Sequence, residues 1–169
     1  MNLVKIRWFI YIAIGIVFGV FDFYFHSFIS RMLIQGETLW RILTYGVWLV
    51  PLVPIALYEA RFSKSKVRAA FASSSTWLVS IIFYYLYNAI QLGIIGISTR
   101  PELHISNKND PFFWGNWKNV FWNDIVMRGI FQWSGFAVVV GFIVGFSVSF
   151  IYLRIEKFIK FRNKSTKEF

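Results

Sequence analysis

The chain has 169 residues, 57% of them hydrophobic and 21% aromatic, with a formal net charge of +10 and no cysteine. A water-soluble domain of this length has too much surface to carry that apolar fraction, and the missing thiols exclude disulfides, thiolate metal sites and cysteine nucleophiles. The basic residues sit in short patches flanking long apolar runs, which points to a membrane surface and away from nucleic acid.

The first apolar run spans residues 8–30, WFIYIAIGIVFGVFDFYFHSFIS, and is long enough to cross a bilayer as a helix. Lys5 and Arg7 precede it like the basic start of a signal peptide, but the run is too long and no small-residue cleavage site follows, so it reads as a retained helix. Gly15, Gly19, Asp22 and His26 follow one another at spacings of four, three and four and share one helix face. The two glycines permit close approach of another helix, which turns Asp22 and His26 toward the bundle interior. At ~1.5 Å per residue, Asp22 lies about 21 Å above Trp8, or about 9 Å below the far surface of a ~30 Å core.

The second run spans 40–58 and contains Pro51 and Pro54, each lacking a backbone donor, so a kink is expected there. Arg61, Lys64, Lys66 and Arg68 form a basic connection to the third run, 69–97. That run carries a polar stripe of Ser73, Ser80, Tyr84, Asn88 and Gln91. An outer loop, 98–124, begins with polar residues. It then offers a helix start at Asp110-Pro111, with Phe113, Trp117 and Phe121 at i, i+4 and i+8. This pattern predicts a short amphipathic helix lying on the outer membrane surface, as an anchor or as a lid.

The fourth run spans 125–153 and brings Arg128 to about the same depth as Asp22, so the two are expected to pair. Gln132 follows one turn later, and Gly141 and Gly145 mark a second small-residue face, suited to the first helix or to a homodimer. Residues 163–169 read as a disordered basic tail attached to a single domain, 1–162.

The expectation is an all-α polytopic bundle of four transmembrane helices. The basic patches before the first run, between the second and third, and after the fourth put both termini in the cytoplasm and the chain in the cell (inner) membrane. Partners implied are the bilayer itself, anionic lipid at the basic face, and a protein partner or a second copy of the chain. No phosphate loop, zinc-binding helix, serine elbow or dinucleotide fingerprint occurs, so neither an enzyme nor a cofactor or metal site is expected. The polar groups gather at the outer end, where Asp22, His26, Asn88, Gln91, Arg128 and Gln132 are expected to line an outward-facing pocket that binds or helps translocate a solute or ion. The alternative is a non-catalytic membrane subunit or assembly factor whose buried polar groups only hold helices together.

Overall fold

In a bilayer, a run of ~20 apolar residues satisfies its backbone polar groups within one segment only as a helix. The computed structural model describes residues 3–31, 37–91, 95, 109 and 111–165, and these fold into helices with no strand among them. Four helical stretches are long and apolar enough to cross a membrane.

Helix α1 runs Leu3–Arg31, and α2 (Glu37–Gly46) and α3 (Leu49–Ser63) together form the second of these long apolar stretches. The expected kink is displaced: the break falls at Val47–Trp48, upstream of both prolines. Pro51 has no N–H for the carbonyl of Val47, four residues back. That carbonyl instead accepts from the Val50 amide at 3.1 Å, one residue short of α-helical register.

Helix α3 ends at Lys64, whose left-handed backbone (φ 51°) directs its N–H onto the Ala60 carbonyl. Ser65 then caps α4 (Lys66–Ile90) by accepting from the Arg68 amide. Residues 92–94 and 96–97 of the expected third run lie outside the described residues, as do the polar residues 98–108 and the Asp110 cap.

The last of the four stretches begins as α5 (Phe113–Asn116), continues as a π-helical segment (Trp117–Met127) and runs on as α6 (Arg128–Ser165). The expected loop helix is therefore not a separate element but the start of the fourth helix. Its apolar stripe is not laid on lipid either. Phe113 and Phe121 are buried with Ala89 of α4 and Val126, and Trp117 and Trp122 pack around them. Helix α6 also extends three residues into the segment expected to be a disordered tail.

Helix α4 is the hub, because its face is small. Ala69, Ala70, Ala72, Ser73, Ser74 and Thr76 are all buried. A Cβ on Gly15 would lie 2.8 Å from the Thr76 carbonyl oxygen, and one on Gly19 would run into the Ser80 carbonyl. On the opposite flank, Gly141 and Gly145 bring α6 against Ser74 and Ala70. That second glycine face is thus filled by α4 within the chain, rather than by α1 or a second copy. The hydroxyls of α4 tie these contacts: Ser80 donates to the Gly15 carbonyl at 2.9 Å, Ser74 to Val138 at 3.0 Å and Ser73 to Leu52 at 3.3 Å. Part of the expected polar stripe is therefore interhelical hydrogen bonding.

Candidate functional site

Two ends of the bundle carry polar groups. At the end holding the N-terminus, the α3–α4 turn and the close of α6, Glu59 is almost fully buried. Tyr11 donates its hydroxyl to Glu59 Oε2 at 2.7 Å, and Arg7 Nη1 lies 3.6 Å from the same oxygen. Nearby, Lys64 and Lys160 both bind the Glu156 carboxylate, at 2.7 and 2.8 Å. These hydrogen bonds, that of Lys160 first, hold Glu156 down at about 2 from an ordinary 4.5.

Toward the other end lies a cavity of about 250 Å³ between α1, α2, α4 and α6. Helix α1 contributes Asp22, Phe25 and His26; α2 contributes Trp40, Thr44 and Tyr45, with Trp48 beyond the break. Trp77, Ile81, Tyr84 and Tyr85 come from α4, and Trp133 and Phe136 from α6. The rings interlock: Trp48 stacks on Trp77 at 5.4 Å, Phe136 meets Trp77 edge-on at 5.8 Å, and Trp133 meets Phe136 at 5.6 Å. His26 stands edge-on to Trp40 and Tyr84, with ring centroids 6.3 and 6.4 Å away.

Asp22 is 8% exposed. It forms no ion pair with Arg128, which is exposed at the start of α6. Matching depth was the argument for that pair, and depth does not fix azimuth. The wider turns of the π-helical segment change the direction in which the following residues project. Burial desolvates Asp22, and among the described residues no charge or hydrogen-bond donor meets its carboxylate. Two further wall groups lack a partner among the described residues, the indole N–H of Trp77 and the hydroxyl of Thr44.

The six expected pocket residues therefore separate. Asp22 and His26 line the cavity. Gln91 is buried elsewhere, donating to the Tyr87 hydroxyl at 2.6 Å and the Tyr24 hydroxyl at 3.2 Å, while those hydroxyls bond each other at 2.6 Å. Asn88 is buried in the same stretch of α4 but outside the cavity wall. Gln132 lines a shallow depression that shares Tyr45, Trp133 and Phe136 with the cavity. The sequence reading sets aromatics beneath the pocket, whereas in the structure they form its walls. Their signal is tryptophan placed mid-span at Trp48, Trp77 and Trp133, when this residue usually marks interfaces. That reading missed Glu59, an acid just inside the basic connection. Among the described residues no group of three metal-ligating side chains assembles.

Compared with known protein families, curated proteins and solved structures, the chain matches none.

Proposed function

We propose that the protein is a multi-pass cell-membrane protein that binds, or helps to move, a small solute through this cavity. The basic connections support an orientation with both termini in the cytoplasm, which puts the cavity in the outer half of the bilayer. The observation that carries the reading is Asp22, a buried carboxylate in a cavity wall that none of the described residues satisfies. Intramembrane carboxylates are costly and are retained where they work. The rival reading, a subunit or assembly factor, accounts for Ser73, Ser74, Ser80 and Gln91, whose bonds join helices or neighbouring side chains. It leaves Asp22, the indole N–H of Trp77 and the hydroxyl of Thr44 unexplained.

The test is ligand-dependent melting of the purified protein against cationic, zwitterionic, neutral and anionic solutes. At least one class should raise the melting temperature, and Thr44→Leu, which fills the cavity, should abolish that shift while preserving the fold. A flat response across the panel, with a stoichiometric protein partner copurifying, would establish the subunit reading instead.

A further inference from the structure

We infer that the cavity takes a small organic cation, an alkylated ammonium group held between the aromatic walls with Asp22 as its counter-charge. This rests on the solute-binding reading and adds the chemical class. Charge comes first. Among the described residues, Asp22 is the one acidic group in the wall, and no lysine or arginine lines the cavity. A buried carboxylate is met by a cation, by donated hydrogen bonds or by a bound proton. Neither a cation nor a donor comes to Asp22 from the described residues, so a cationic guest can take the place of that proton.

The walls agree. Nine of the thirteen lining residues are Phe, Tyr or Trp. Aromatic faces carry the negative side of the ring quadrupole and attract cations within about 6 Å of the centroid, tryptophan most strongly. A primary ammonium or guanidinium needs several hydrogen-bond acceptors, and a bare metal ion needs several ligands. The wall offers one carboxylate among rings. A fully alkylated, quaternary ammonium has no N–H to satisfy, and its methyl or ethyl groups present apolar surface to the same rings. The unpartnered Trp77 indole N–H and Thr44 hydroxyl suit one oxygen substituent carried on that guest. The cavity, at about 250 Å³, falls just below the ~300–1,000 Å³ typical of pockets for drug-sized ligands, so the guest is small.

The experiment uses the full-length protein in phosphatidylglycerol nanodiscs, which present no choline headgroups. Binding of choline is compared, by calorimetry and tryptophan fluorescence, with its uncharged isostere in which a tert-butyl group replaces trimethylammonium. Choline should bind about tenfold or more tightly than the isostere. Asp22→Asn should reduce choline to the isostere's level, and Trp133→Leu, at a partly exposed wall position, should weaken choline more than the isostere. Equal binding of the two probes by the parent protein would overturn the cation inference while leaving a solute site. A preference for choline that survives Asp22→Asn would overturn the role given to the carboxylate. Failure of both probes would overturn the inference, and a flat response to the whole solute panel would remove the underlying reading as well.

Discussion

Two buried carboxylates show how far a residue's meaning depends on its neighbours. Asp22 is desolvated without a partner among the described residues, whereas Glu59 accepts from Tyr11 and lies beside Arg7. Arg7 and Tyr11 are one helical turn apart, so one face of α1 delivers both to α3. Tyr11→Phe should cost about 1–2 kcal/mol, the loss of one hydrogen bond to a charged group. Arg7→Met should cost more, about 3–5 kcal/mol, because it strands a buried charge. Adding Glu59→Gln to Arg7→Met should then recover much of the loss. Equilibrium unfolding in mixed micelles reads all three. An Arg7→Met no more harmful than Tyr11→Phe would mean that the hydroxyl alone sustains Glu59. Sequence could find Asp22, because an acid amid phenylalanines is conspicuous. Glu59 sits at a span boundary, where an acid looks solvated until α1 is known to cover it.

At the scale of elements, the four long apolar helical stretches were legible because apolar length alone specifies them, and the Gly15–Gly19 face lies against α4. Phase was not legible. A run of apolar residues does not say which side meets which helix, and the π-helical segment before Arg128 alters the count that a regular helix would allow. The prolines were visible, yet the break they cause lies upstream, where the deprived carbonyl is. The glycines allow a direct check. At Gly19 and Gly145 an added Cβ meets the backbone of α4, while at Gly46 and Gly115 it meets nothing within 4 Å. Gly19→Ala and Gly145→Ala should each destabilise by about 1–3 kcal/mol through forced separation of helices. Gly46→Ala and Gly115→Ala should be neutral or stabilising by up to about 1 kcal/mol, from helix propensity alone. Four equal effects would mean that propensity rather than packing governs these positions.

For the molecule as a whole, the end bearing the termini is fastened by charge and the opposite end by aromatic packing. Glu156 binds Lys64 of the α3–α4 turn and Lys160 of its own helix, which holds its folded pKa at about 2, below the ordinary 4.5. A depressed carboxylate stabilises the fold fully above its unfolded pKa and loses that contribution as pH falls toward the folded one. The melting difference between the parent and Glu156→Gln should therefore be constant above about pH 5.5 and shrink from there toward about pH 2. It should also shrink in high salt, since the pair is exposed. A difference independent of pH would assign the effect to packing. The same charged end fixes the expected orientation. Twelve of the eighteen basic residues lie before the first crossing, between the second and third, or after the fourth, and short basic connections are retained on the cytoplasmic side. Because the chain has no cysteine, single cysteines report sidedness without background. Lys157→Cys and Asn109→Cys both place the thiol at exposed positions, at opposite ends of the bundle. In intact cells a membrane-impermeant maleimide should label the variant at Asn109 and spare the one at Lys157, which should react only after permeabilisation. Labelling of Lys157→Cys from outside would invert the orientation, place the aromatic cavity toward the cytoplasm, and require its solute to come from within the cell.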